Sequence, residues 1–434
     1  MNDLFKNLPF RPADILLPRD CDLSLWSVVA CDQYTSQPEY WQRVEERVGR
    51  APSALRLILP ESCLEGPNVE TDIMEINNTM SRYLREGRFQ EYPGALFYVE
   101  RTLDSGKVRR GLIGMVDLEQ YDYESRSQAP IRATEGTVLA RIPPRVAVRK
   151  NAPIELPHVM LLMDDPERTV IEPLSGQTAA MKKLYDFDLM ERGGHIRGWA
   201  LTEEQQDQVA RALTALADPE RFHSRYDRDE ALMLFAMGDG NHSLATAKEC
   251  YERQKRLTSP DQWESLPARY ALVELDNLHD SSLEFEPIHR VVFGVRPEEL
   301  LDALGRYYPS AVRGRQLTPE LKEKCQCFSY LSRGSEGEIA LLSGGEWLAV
   351  GTLQTFLDHY LQTHPQARVD YIHGEDVVRR LASQPDTTGF LLPAMDKADL
   401  FPAVIHGGSL PRKTFSMGEA HDKRFYLEAR KIRE

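Results

Sequence analysis

Residues 231–256 read ALMLFAMGDGNHSLATAKECYERQKR, and this stretch decides both the fold class and the place of the chemistry. The apolar run at 231–237 has the length and composition of a buried strand. It passes without a spacer into GDGNHS at 238–243, and then into a segment of helix-forming composition at 244–256. A strand that turns through glycine into a helix aims main-chain N–H groups at one point, where the helix dipole adds partial positive charge. Gly238 and Gly240 can take positive φ, while Asp239, Asn241, His242 and Ser243 crowd polar side chains onto the same turn. The turn is therefore expected to seat a phosphate group. It lacks the lysine and spacing of a Walker A loop and the third glycine of a dinucleotide fingerprint. The competing assignment is a tight turn in which Asp239 or Asn241 simply caps the helix.

The surrounding sequence alternates strand and helix patterns. Strands are expected at 23–32, at 55–61, and in a hairpin at 95–118 that turns through Asp104-Ser105-Gly106. Further strands are expected at 158–165, 169–174, 269–278 and 285–295. Helices are expected at 38–49, 68–87 and 202–216, the last with Thr202 as its N-cap. Hairpins mixed with helices argue for an α+β fold with mixed sheets rather than a doubly wound parallel sheet. The expected division is a main domain at 1–295, a small variable α+β module at 296–365, and a segment at 366–434 that completes the main domain.

Composition narrows the function classes. The chain has 434 residues, of which 41% are hydrophobic and 28% charged, an ordinary globular balance. Its net charge of -14 disfavours a nucleic-acid partner. No apolar run approaches the roughly 20 residues of a membrane helix, and the N-terminal residues lack a signal-peptide core, so a cytoplasmic location is expected. The cysteines at 21, 31, 63, 250, 325 and 327 are too sparse for a disulfide framework, and no zinc-ligand spacing is present. A small-molecule substrate is the expected partner, with the oligomeric state left open.

Three further clusters carry potential chemistry. IRATEGT at 131–137 holds Glu135 among Arg132, Arg141 and Arg145; a carboxylate there can serve as general base, and the arginines suit phosphate oxygens. Its structural alternative is a helix start capped by Thr134. LPRKTF at 410–415 presents Arg412 and Lys413 in an extended loop that suits an anion. ACDQYTSQPEYW at 30–41 ends a strand at Asp32 and enters a helix at Pro38, a second polar junction able to face the first.

Taken together, these segments resemble the bacterial family known as domain of unknown function 1015, from VVACDQYTSQPEYW through IRATEGT and MGDGNHSLATA to YIHGED and LPRKTF. The turn in that family is similar to the D-G-x-H-R phosphate turn of free-serine kinases with the ParB/sulfiredoxin-like fold. The resemblance implies nucleotide phosphate at the turn, a glutamate that assists a serine hydroxyl, and chemistry on serine or phosphoserine. Asp239, Gly240 and His242 match the motif; Ser243 stands where an arginine is usual, and Thr134 where a histidine is usual. The resulting expectation is a small-molecule kinase. Glu135, Asp239 and His242 would be catalytic. Gly238, Gly240, Asn241, Ser243, Arg141, Arg145, Arg412 and Lys413 would hold phosphate, and Asp239 would steer Mg²⁺, with a nucleotide or pyrophosphate as cosubstrate. A phosphoserine-type phosphatase and a non-catalytic nucleotide sensor are the alternatives.

Overall fold

The computed structural model describes residues 3–35, 37–64, 66–137, 142–226, 229–342 and 348–433, which fall into two compact units. The first comprises residues 1–283 and 418–434, and the second 284–417. The architecture is α+β with mixed sheets. The segment at 296–365 lies within the second unit, whose sheet also recruits strands on either side of it.

A mixed sheet forms the centre of the first unit. Its strands run in the order Lys182–Asp188, His195–Ala200, Phe97–Thr102, Val108–Asp117, Tyr270–Asn277, Met160–Met163, Phe235–Asp239, Ile131–Arg132 and Tyr121–Asp122. The first five pair antiparallel. Met160–Met163 then joins Tyr270–Asn277 in parallel and Phe235–Asp239 antiparallel, and Phe235–Asp239 takes Ile131–Arg132 in parallel. Because successive residues of a strand face opposite sides, apolar runs such as Tyr270–Asn277 fill two cores at once. Leu272, Ile113 and Phe97 point into one, and Val273, Leu112 and Tyr98 into the other.

Several expectations about local structure give way to capping and turn chemistry. The stretch at 23–32 is a short helix, Leu23–Trp26, followed by the two-residue strand Val28–Val29; the Asp22 carboxylate accepts the Ser24 N–H and starts the helix. The run at 55–61 contains a 3-10 turn, Ala54–Arg56, that Ser53 caps in the same way. The run at 169–174 leads into the 3-10 segment Glu172–Ala180 instead of a strand. The hairpin and the helices Pro38–Val48, Val69–Arg85 and Glu203–Leu216 stand where the sequence puts them, the last with a full capping box from Thr202 and Gln205.

In the second unit a sheet in the order Val312–Gly314, Ser335–Leu341, Gln326–Ser332, Thr387–Leu391, His289–Phe293 and Arg368–Ile372 packs against the helices Pro297–Tyr307 and Ala349–Thr363. The short strands Phe285–Pro287 and Phe415–Met417 pair at its chain ends. Among the described residues the cysteines form no disulfide, and no helix is long and apolar enough to cross a membrane.

Candidate functional site

The strand Phe235–Asp239 lies third from one edge of the sheet, between Met160–Met163 and Ile131–Arg132, and delivers the turn to its end. Its register against Met160–Met163 skips one residue: Met160 faces Asp239 and Leu161 faces Met237, so Gly238 is the extra residue of a bulge. Gly240 alone of the two glycines takes positive φ, at 81°. A side chain at Gly240 would lie 3.1 Å from the Val159 backbone and 3.5 Å from the His158 ring, so the turn is packed tightly on residues 158–159.

Gly240 is the N-cap of the helix Asn241–Lys255, and no side chain caps it. The capping role open to Asp239 or Asn241 is thus not used. The Asp239 carboxylate accepts the Gly240 N–H at 2.9 Å, and the Asn241 Oδ1 atom is buried without a hydrogen bond. Leu244 is the first residue whose N–H bonds back along the helix, to the Gly240 carbonyl. Among the described residues the main-chain N–H groups of Asn241 and Ser243 donate to nothing. Asn241 and Ser243 are half-exposed, and two open amides at a helix start without a capping oxygen have the arrangement that suits an anion.

The neighbouring elements bring charge to this point. Lys423, almost fully buried, holds its Nζ 3.4 Å from Asp239 Oδ2. His158 sets its Nε2 3.9 Å from Asp32 Oδ2 and shares a 2.8 Å hydrogen bond between its Nδ1 and the Tyr426 hydroxyl, which also accepts the Cys31 N–H. Burial opposes the charge on Asp32, but His158, the Gln33 amide and Lys423 together hold its carboxyl below the ordinary value. Burial pushes the Cys31 thiol up to about 12, which removes it as a nucleophile near neutral pH.

A buried charge network lies behind this shell. Arg424 donates to Glu274 and Glu428 at 2.6 Å each and to the Pro157 carbonyl at 3.0 Å, and Tyr185 donates to Glu428 at 2.6 Å. Asp276, two residues beyond Glu274 on the same sheet face, is wholly buried with neither oxygen hydrogen-bonded. Burial, reinforced by repulsion from Glu274, raises its carboxyl well above the ordinary range.

The expected site residues divide as follows. Residues 238–243 share the turn, and the segment that carries Glu135 runs beside its strand, because Ile131–Arg132 pairs with Phe235–Asp239 and the Thr134 hydroxyl donates to the Met237 carbonyl at 2.8 Å. Thr134 therefore anchors the two segments to each other. Arg145 lies on the helix Ile142–Arg149, which packs on Asn241–Lys255 through Ile142, Val146, Ala245 and Cys250. Its guanidinium is paired with the Glu61 carboxylate, which offsets much of the charge expected to meet phosphate. Arg141 lies outside the described residues. Arg412 and Lys413 belong to the second unit, where Arg412 donates to the Tyr371 hydroxyl at 3.1 Å.

His158, Lys423 and Tyr426 were not singled out from the sequence. Their signal was faint: a Pro-His pair entering an apolar strand, and the basic pair Lys423-Arg424 placed directly before the apolar Phe425-Tyr426-Leu427. A basic pair entering a buried segment must find carboxylates there.

Thr134→Val keeps the shape and removes the hydroxyl from the Met237 carbonyl. It is expected to lower stability by about 1–2 kcal/mol in urea unfolding, the cost of one buried hydrogen bond. A midpoint identical to that of the unsubstituted protein would remove Thr134 as the anchor.

A cavity of about 130 Å³ opens beside the turn, and Ser243, Arg145, His158 and Tyr426 are among its lining residues. A larger groove of about 970 Å³ elsewhere in the first unit includes none of the turn residues. Its walls carry Glu91, Glu203, Asp207 and Glu264 with Arg430, Lys431 and Arg433, charges of both signs that include the Lys431–Glu91 pair at 3.0 Å. The smaller cavity, which shares Ser243 with the helix start, is the better candidate for chemistry.

No curated protein is matched by the sequence. Among solved structures, a free serine kinase in complex with AMP is similar at 11% identity and a TM-score of 0.40, over 73% of this chain and 91% of that chain. A mutant of free serine kinase in complex with ADP gives 12% identity and a TM-score of 0.40, over 75% of this chain and 93% of that one. A conserved hypothetical protein from Pyrococcus furiosus gives 11% and 0.36, over 72% and 90%. Scores at this level assign no residue of those proteins to a residue of this chain. The family evidence is of a different kind, because residues 9–381 match the family described as Protein of unknown function (DUF1015), and the chain belongs to that family.

Proposed function

We propose that the protein is a phosphotransferase that moves a phosphoryl group between a nucleotide or pyrophosphate and a small hydroxyl compound, with serine and phosphoserine the first pair to test. The observation that carries this reading is the uncapped helix start, where the amides of Asn241 and Ser243 donate to nothing among the described residues. Phosphoryl transfer needs little covalent chemistry from a protein. It needs donors aimed at the phosphate oxygens and a group that takes the hydroxyl proton.

In the forward direction the acceptor oxygen forms a bond to the donor's terminal phosphorus, and the bond from that phosphorus to the bridging oxygen breaks. The bridging oxygen leaves with the electron pair, and the hydroxyl proton passes to the Glu135 carboxylate. The amides of Asn241 and Ser243 hold the transferred group, with His242 at the same turn of helix. Lys423 supplies the positive charge behind Asp239.

A divalent ion fits poorly at Asp239. One carboxylate oxygen accepts the Gly240 N–H and the other faces the Lys423 ammonium, so a cation there would have to displace Lys423. Charge neutralisation in this scheme therefore falls to amides and Lys423.

Calorimetric titration with ADP and pyrophosphate, and phosphorus NMR of serine supplied with each donor, test the reading. Binding of at least one of the two, and its weakening by about tenfold or more in Gly240→Ala, is expected. That substitution forces a side chain into the left-handed region against the Val159 backbone. No binding of either compound, or unchanged binding in Gly240→Ala, would overturn the reading. Free phosphate released from phosphoserine without a nucleotide would reverse the direction to a phosphatase.

A further inference from the structure

The cavity beside the turn differs in character from the turn itself. Leu57, Ile58, Leu59, Val148, Ala152 and Leu156 supply apolar wall, and Leu57 and Ala152 are almost fully buried. The charges on its lining cancel in pairs, Arg145 with Glu61 and Arg149 with Glu155. No net charge is left to recognise an ammonium or carboxylate group inside. His158, Tyr426 and Ser243 are among its polar lining residues, and the Ser243 hydroxyl makes no hydrogen bond among the described residues.

Size sets the guest. The cavity measures about 130 Å³. An apolar cavity of about 150 Å³ in another protein holds one benzene molecule, so this one suits an aliphatic group of roughly four to six carbon atoms. Ser243 is common to both places: it is one of the residues that line the cavity, and its main-chain N–H belongs to the helix start. A hydroxyl compound with its apolar group in the cavity therefore presents its oxygen toward the proposed phosphate seat.

We infer that the acceptor is a small amphiphile, a hydroxyl compound bearing an uncharged branched or short-chain aliphatic group, and that this cavity selects it over serine itself. The inference rests on the phosphotransferase reading for the fate of the hydroxyl, but the binding preference stands apart from it. Each methylene buried in an apolar site tightens binding about fourfold. 3-Methyl-1-butanol is therefore expected to bind on the order of tenfold more tightly than 1-propanol, and L-serine more weakly than either.

The experiment titrates the full chain with 3-methyl-1-butanol, 1-propanol, 1-hexanol and L-serine by ligand-observed NMR, with pyrophosphate titrated in parallel. Ala152→Leu, which fills the cavity, should erase the preference for the branched alcohol. Ile58→Ala, which enlarges it, should shift the preference toward 1-hexanol. Both should leave pyrophosphate affinity within about twofold. Equal binding of L-serine and 3-methyl-1-butanol, or a preference unmoved by both substitutions, overturns the inference. Loss of pyrophosphate binding in the unsubstituted protein, with the alcohol preference intact, would instead count against the phosphotransferase reading and leave the cavity's selectivity in place.

Discussion

Alanine at position 239 is expected to lower phosphoryl transfer by two to three orders of magnitude while leaving pyrophosphate affinity equal or higher. The two effects separate because Asp239 has two tasks in the turn. Its Oδ1 accepts the Gly240 N–H and fixes the left-handed residue that starts the helix, and its Oδ2 lies 3.4 Å from the buried Lys423 ammonium. Removing the carboxylate loosens the geometry on which transition-state contacts depend, an effect of about a hundredfold or more when oriented donors are lost. It also releases the Lys423 charge from its counter-ion, and a released cation close to an anion seat favours binding. Steady-state kinetics and calorimetry on the same preparation measure both. Turnover within a few-fold of the unsubstituted protein would take Asp239 out of the mechanism.

Arg424→Met is expected to destabilise the first unit by about 3–5 kcal/mol, the cost of leaving a buried ion pair with one partner. The guanidinium is 4% exposed, and the Glu274 and Glu428 side chains it joins are 6% and 2% exposed, so neither carboxylate has water to fall back on. Burial alone would lower the Arg424 pKa. Glu428 and Glu274 outweigh that and raise it, so the charge is fixed. Methionine fills the volume but abandons the Pro157 carbonyl and the closest cation of both carboxylates, leaving Glu274 with Arg109 at 3.7 Å and Glu428 with the Tyr185 hydroxyl. Adding Glu274→Gln and Glu428→Gln to Arg424→Met should restore at least half of the loss, because neutral groups cost less to bury than unpaired charges. Urea unfolding of the single and triple variants decides the matter. A single variant within about 1 kcal/mol of the parent would mean that solvent or another cation reaches the carboxylates. The position also bears on the proposed site, since Arg424 holds Pro157 next to His158 and follows Lys423 in the chain.

The turn at 238–243 was legible because its chemistry is local. A strand pattern, two glycines and a helix pattern in direct succession allow few backbone paths, and the helix start came out uncapped at Gly240. Helices with caps and apolar periodicity were equally legible, as Thr202 and Gln205 demonstrate. Strand assignments failed where a short polar side chain competed for the backbone. Asp22 and Ser53 each accept an N–H two residues ahead and convert an apolar run into a turn or short helix. Of the two glycines able to take positive φ only Gly240 does so, and Gly238 is the extra residue of a bulge, which the partner strand defines and not the residue itself.

By itself, then, the sequence determined the α+β class, the strand-turn-helix unit with its small residues, and the pairing of strands in the 95–118 hairpin, all properties of residues near one another in the chain. Only the tertiary structure decided which distant groups surround the turn. Lys423 and Tyr426 come from the C-terminal residues and His158 from the lead-in to a central strand, while Asp32, at the junction the sequence offers as able to face the turn, reaches this shell through His158. No periodicity encodes such a meeting. It follows from burial, which strips water from each charged group and leaves it stable only beside a partner that the fold supplies.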